Sequence, residues 1–138
     1  MILFGAVIRG QAKAQTIPSS ELSRKVVQQE SLGLKKAYSK AGLKWSSAIY
    51  MRIFKKEKTL EIWVLAEKNY RLFKTYKICT FGSGSLGPKT EKGDGHAPEG
   101  FYFVKAEQLN PWSDYYLSFN IGYPNRYDRG QGLSLIHI

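Results

Sequence analysis

A thiol and an imidazole can form a nucleophile–base pair, and this chain has one cysteine and two histidines to offer. Cys79 stands just before a glycine-rich stretch running from Gly82 to Tyr102, and His96 stands within it. Cys79 falls in an apolar run that reads as a strand, so it is expected to be a small buried hydrophobe rather than a thiolate. The same stretch nearly spells a phosphate-binding loop, because Gly82, Gly87, Lys89 and Thr90 approach the form GxxxxGK(S/T). Pro88, however, separates the glycine from the lysine, removes an amide donor and displaces the ammonium. A helix must follow such a loop, so that its first amides meet the phosphate. Here Glu91-Lys92-Gly93-Asp94-Gly95 follows, which is turn chemistry, and nucleotide binding is set aside.

The stretch still needs an explanation. It holds Gly82, Gly84, Gly87, Gly93, Gly95 and Gly100, together with Pro88 and Pro98. Glycines permit positive φ and close approach to a ligand, while prolines stiffen the chain. A loop of this length inside a small domain is usually functional or disordered. Because it re-enters a strand directly at Phe101, it reads as an ordered binding loop.

The elements that position this loop follow from patterning. Residues 138 in number support one domain, and 43% hydrophobic with 14% aromatic residues can build a core. A net charge of +10 implies an anionic partner: nucleic acid, an anionic membrane or an acidic wall polymer. The lysines are dispersed, which argues against nucleic acid. Trp45, Trp63, Tyr115 and Tyr116 are better explained as core and sheet surface than as a base-stacking platform. Met1–Ile8 is apolar and Ala12-Lys13-Ala14 offers a small-x-small cleavage pattern, so residues 1–14 read as a clipped signal peptide. Eight apolar residues cannot cross a bilayer, and no transmembrane segment is expected.

Residues 15–43 form a helical segment starting near Ile17-Pro18-Ser19-Ser20, with Leu22/Val26, Leu34/Tyr38 and Ala37/Ala41 on one face. Gly33 is expected to divide it into two helices, and Gly42 to end the second. From Ser47 the period becomes two. Ile49–Phe54 and Leu60–Leu65 read as a hairpin, followed by strands over Tyr70–Phe81, Phe101–Ala106 and Tyr115–Ile121. The fold class is mainly β, with helix confined to the N-terminal part.

Several segments now carry a resemblance when taken in order. They are Ile53-Phe54-Lys55, Leu60-Glu61-Ile62-Trp63-Val64, Tyr70–Tyr76, Leu86-Gly87-Pro88-Lys89, Gly93-Asp94, Ala97–Tyr102, Leu109-Asn110-Pro111 and Ser118–Asn125. Together they resemble the YkuD-type catalytic domain of L,D-transpeptidases, in its periplasmic murein branch. The resemblance covers residues 44–132, read as a partial catalytic domain, and implies a β-sandwich or mixed sheet core with N-terminal helices, incomplete at the C-terminus. It implies cysteine acyl transfer on peptidoglycan stem peptides, without a cofactor or metal, in the periplasm or cell envelope. A hydrolase of the same branch, releasing wall-anchored lipoprotein, is the first alternative, and a non-catalytic wall-binding module the second.

The resemblance also implies site residues. Lys89 and Lys92 would face the anionic stem peptide, Tyr102 would lie beside them, and Tyr116, Asn120 and Tyr123 would form the opposite wall. The family's His-Gly and Gly-Cys segments should follow Tyr127-Asp128-Arg129, and the chain carries no match to them. Residues 133–138, Leu-Ser-Leu-Ile-His-Ile, are also the translation of a transposase end sequence used in preparing sequencing libraries. They therefore read as an adapter-derived tail, and His137 would count as catalytic only if that tail were genuine. The parent is expected to be an enzyme, and this chain alone to be inactive.

Overall fold

The computed structural model describes residues 16–114 and 116–133. The signal peptide expected over 1–14 and His137 of the tail lie outside the described residues.

Helix α1 (Glu21–Lys40) opens on a reciprocal cap. Ser20 Oγ accepts from the Ser23 amide at 3.1 Å, and Ser23 Oγ accepts from the Ser20 amide at 2.8 Å. Ser20 Oγ also donates to the Pro111 carbonyl at 2.7 Å, which ties the start of the helix to a distant turn. At the other end Leu43 N donates to Tyr38 O at 2.9 Å and Gly42 N to Ser39 O at 3.0 Å. That is a Schellman ending, with Gly42 in the left-handed conformation that the motif requires. Gly33 does not divide the helix. An interior glycine costs about 1 kcal/mol, less than breaking a continuous ladder among good helix formers such as Leu32, Leu34, Lys35 and Lys36.

Strands β1 (Ile49–Phe54), β2 (Thr59–Ala66) and β3 (Asn69–Lys77) form an antiparallel meander in sequence order. Ile49 faces Val64 and Phe54 faces Thr59 across the first hairpin. A bulge between Ile62 and Trp63 leaves Phe73 without a cross-strand partner. The Phe73 ring instead packs 4.5 Å from Tyr38, which also meets Trp45 at 5.3 Å. The last turn of α1 is thereby fastened to the sheet. Among the described residues the buried apolar side chains are Leu43, Val64, Tyr123 and Leu133, so the core is small.

Three strand expectations need correction. β3 stops at Lys77, because its partner β2 begins at Thr59 and offers nothing to pair beyond the Ile78–Lys58 bond at 2.8 Å. Cys79 is consequently exposed, not a buried hydrophobe. The strand expected over Phe101–Ala106 is unpaired and runs into a 3-10 turn at Ala106–Gln108. The strand expected over Tyr115–Ile121 shrinks to β5 (Ser118–Phe119), which pairs with β4 (Leu109–Asn110). A five-residue helix, α2 (Arg126–Gly130), closes the described part, capped by Asn125. The architecture is the antiparallel, mainly β arrangement with an N-terminal helix, one helix standing where two were expected.

Gly33 offers a direct test of this account. A Cβ added there meets nothing within 4 Å. Gly33→Ala should therefore stabilise the chain by about 0.5–1 kcal/mol in urea unfolding. A loss of stability would mean that α1 is not continuous through this position.

Candidate functional site

The glycine loop is ordered by one carboxylate. Asp94 Oδ1 accepts from Lys89 Nζ at 2.7 Å and from the His96 amide at 2.9 Å. Its Oδ2 accepts from the amides of Thr90 at 2.8 Å and Glu91 at 3.1 Å. A short acidic side chain between two glycines can reach neighbouring amides in this way, as in Asx turns. The Lys89 ammonium and these amides hold the Asp94 carboxyl far below the usual carboxylate range. The side chains of Lys89 and Asp94 are only 6% and 9% exposed, so Lys89 is spent inside the loop instead of facing solvent as a free charge. Lys92 does remain exposed.

A second lysine closes the loop onto the sheet. Lys55, in the β1–β2 turn, donates to the carbonyls of Gly87 and, at 3.0 Å, Ala97. It also pairs with Glu99 at 2.8 Å and lies over the Phe81 ring. The two arms of the loop meet where Ser83 N donates to Gly95 O at 2.6 Å. Gly82 has φ of +44°, and a Cβ there would overlap the Gly95 carbonyl, so only glycine fits. His96 uses Nδ1 on the Pro88 carbonyl at 3.0 Å. Cys79 and His96 share no hydrogen bond among the described residues, so the pair considered from sequence does not form.

Beyond the loop, Tyr102 and Tyr123 come together with ring centroids 6.3 Å apart. Tyr102 Oη donates to Asp128 Oδ1 at 3.4 Å, and Asp128 itself is 4% exposed. Asp128 Oδ2 accepts from the Asn125 amide at 2.8 Å, the N-terminal box of α2. Burial, then the charge and hydrogen bond of Asp128, push the Tyr102 phenol well above its usual range. Burial raises Tyr123 as well, with Lys89 opposing and Asp128 and Asp94 reinforcing. Among the described residues the Tyr123 hydroxyl is buried and has no hydrogen-bond partner. Gly122 brings this segment in, since a Cβ there would overlap the Phe103 carbonyl.

The structure thus unites Lys89, Tyr102 and Tyr123 of the expected residues. Tyr116 and Asn120 stay outside. Tyr116 is 58% exposed at φ of +79°, and the Asn120 carboxamide is folded back onto the Gly122 amide at 2.7 Å. Neither bonds to the cluster among the described residues. Lys55, Asp94 and Asp128 were not read from sequence as site residues. Gly-Asp-Gly and Asn125-x-x-Asp128 were visible as turn and cap signals, but nothing in Lys-Lys-Glu-Lys singled out Lys55. Among the described residues no cluster of His, Cys, Asp and Glu could hold a metal ion. What the arrangement offers is two neighbouring phenols that burial keeps protonated.

An antiparallel sheet bearing a glycine loop locked from within is the frame in which the comparisons with known proteins fall. No family model matches the chain. Over 86 residues, 62% of its length, the chain is 51% identical to two curated relatives. These are "Putative L,D-transpeptidase YafK" of Escherichia coli strain K12 and its counterpart of Escherichia coli O157:H7. The matched stretch spans 35% of each relative's length.

Two substitutions probe the loop. Asp94 contributes stability that is fully present above the unfolded carboxylate value, about 4, and is lost as pH falls toward its lower folded value. Unfolding free energy should decline below about pH 4, and Asp94→Asn should flatten that slope and lower the midpoint. Equal slopes in both proteins would contradict the assignment. Lys55→Met removes charged hydrogen bonds and should cost about 2 kcal/mol, with faster exchange of the Ser83 and Gly84 amides, which donate within the loop. Unchanged exchange would show that the loop is held without Lys55.

Proposed function

We propose that this chain is part of a cell-envelope L,D-transpeptidase acting on peptidoglycan stem peptides, with residues 44–132 forming part of its catalytic domain. The observation that carries this reading is the 51% identity over 86 residues to the YafK relatives. In such chemistry a cysteine thiolate attacks the carbonyl after the third residue of a stem peptide and expels D-alanine. An amine acceptor then resolves the thioester. Backbone amides stabilise the tetrahedral oxyanion. The periplasm suits this substrate, and no helix among the described residues is long and apolar enough to cross a membrane.

Within that reaction the described residues supply the wall and not the nucleophile. Cys79 is exposed and shares no hydrogen bond with a base among the described residues. Tyr102 borders the groove, and Lys89 acts through Asp94 by fixing the loop's shape. Exposed Lys92 supplies the positive charge that a diaminopimelate carboxylate would meet. Tyr123 continues the wall from within by seating Tyr102.

Tetrapeptide muropeptides provide the test. The chain should bind them, with chemical-shift changes centred on Lys92 and Tyr102, and mass spectrometry should detect no released D-alanine. Lys89→Ala should weaken binding several-fold while loosening the loop amides. Absence of binding would remove the wall assignment. Release of D-alanine that disappears in Cys79→Ser would restore Cys79 as a nucleophile.

A further inference from the structure

Tyr123 is 3% exposed, and among the described residues its hydroxyl donates to nothing. An O–H buried without an acceptor is costly, and the exceptions call for an explanation. Because the hydroxyl is already enclosed, an acceptor for it has to come from the groups that surround it. Lys89 lies close enough for its charge to act on this phenol, but an ammonium has only N–H groups to give. Two carboxylates act on it as well, Asp128 and Asp94.

A carboxylate has about four lone-pair sites. Asp94 has filled its own: Oδ1 accepts from Lys89 Nζ and the His96 amide, and Oδ2 from the Thr90 and Glu91 amides. Asp128 has not. Among the described residues its Oδ2 accepts from the Asn125 amide at 2.8 Å, and its Oδ1 only from Tyr102 Oη at 3.4 Å. The Tyr102 bond is long, since O–H···O bonds run to roughly 3.0 Å. Asp128 is therefore the carboxylate with room for a second phenol, and Tyr102 holds it loosely.

We infer that Tyr123 is a positioning residue, the reserve donor to Asp128: when Tyr102 turns its hydroxyl to an acceptor on a bound stem peptide, Tyr123 closes onto the carboxylate in its place. The peptide as acceptor rests on the groove proposed above, whereas the exchange at Asp128 rests on the chain's own bonds. The two rings lie 6.3 Å apart, and the charge of Asp128 bears on both phenols. Tyr102 is only half-buried and can be reached from outside, while Tyr123 is enclosed with Asp128, itself 4% exposed. Without a reserve donor, the release of Tyr102 would leave a buried charge short of partners, which is strongly destabilising.

A double-mutant cycle in urea unfolding tests the exchange without any ligand. Tyr→Phe removes a hydroxyl and keeps the ring, so packing is common to all four chains. Tyr102→Phe should raise the unfolding constant by less than about threefold, because Tyr123 takes over, and Tyr123→Phe should not raise it at all. The double variant should raise it by about tenfold or more beyond the product of the two. Exchange of the Asn125 and Asp128 amides, which bond within the cap of α2, should be about tenfold faster in the double variant alone. Independent effects in the cycle would overturn the proposal. So would a cost for Tyr123→Phe by itself as large as that of the double variant, which would mean that Tyr123 holds Asp128 at all times.

Tetrapeptide muropeptide then separates the exchange from the groove. Tyr123→Phe should weaken its binding several-fold with unchanged circular dichroism. Unchanged affinity would overturn the release of Tyr102 to the peptide. Failure of every chain to bind, beside a coupled cycle, would remove the groove and leave the exchange at Asp128 in place.

Discussion

The Asp94 carboxylate is the interaction on which the rest of this structure depends. A segment with six glycines has more conformational freedom to lose than any other part of the chain, and hydrophobic burial is not there to offset the loss. One side chain instead gathers an ammonium and three amides at 2.7–3.1 Å. A buried carboxylate is tolerated only when its lone pairs are filled, and Asp94 satisfies that condition within its own loop. Shape is therefore stored locally. The loop needs only one further tie to the sheet, and Lys55 supplies it by gripping both arms at once.

From that point the geometry propagates along the chain. With Ala97 and Glu99 held by Lys55, the chain leaves the loop at Gly100 in a set direction, and Tyr102 arrives over Asp128. Gly122 lets the returning segment pass against the Phe103 carbonyl, which places Tyr123 beside Tyr102. Asn125 then serves two purposes. It caps α2 through Asp128 and holds the Phe101 carbonyl at 3.1 Å. The phenols, the loop ion pair and the cap of α2 consequently form one mechanical unit, although they come from three separate stretches of sequence.

Local signals in the sequence were legible and nonlocal ones were not. The serine start of α1, the Gly42 ending and the β1–β2 hairpin depend on neighbours within a few residues, and all three form where patterning put them. The loop was legible as an ordered feature because glycines and prolines sat together between alternating segments. Cys79 was misread because strand length depends on where the partner begins, which Thr59 decides from across the sheet. The alternation at Phe101–Ala106 was a true sign of extended chain, but alternation cannot say whether a partner is present. Lys89 was expected to face the substrate because its counterion was not weighed, and Lys55 looked like one more turn lysine. In both cases the deciding acceptor lies elsewhere on the chain or on its backbone.

This internal use of lysine changes where the protein's positive field resides. Of 21 lysines and arginines against 11 acids, the two that touch the loop most closely, Lys55 and Lys89, are neutralised by Glu99 and Asp94. The unpaired excess lies elsewhere, with Arg24, Lys25, Lys35, Lys36 and Lys40 all exposed along α1 against only Glu21 and Glu30. At physiological ionic strength a charge is felt over about 8 Å, so an anionic polymer would be drawn mainly to helix and sheet faces. The loop's own lysines divide between two situations: Lys89 is held by Asp94 and shapes the loop, while Lys92 stays exposed.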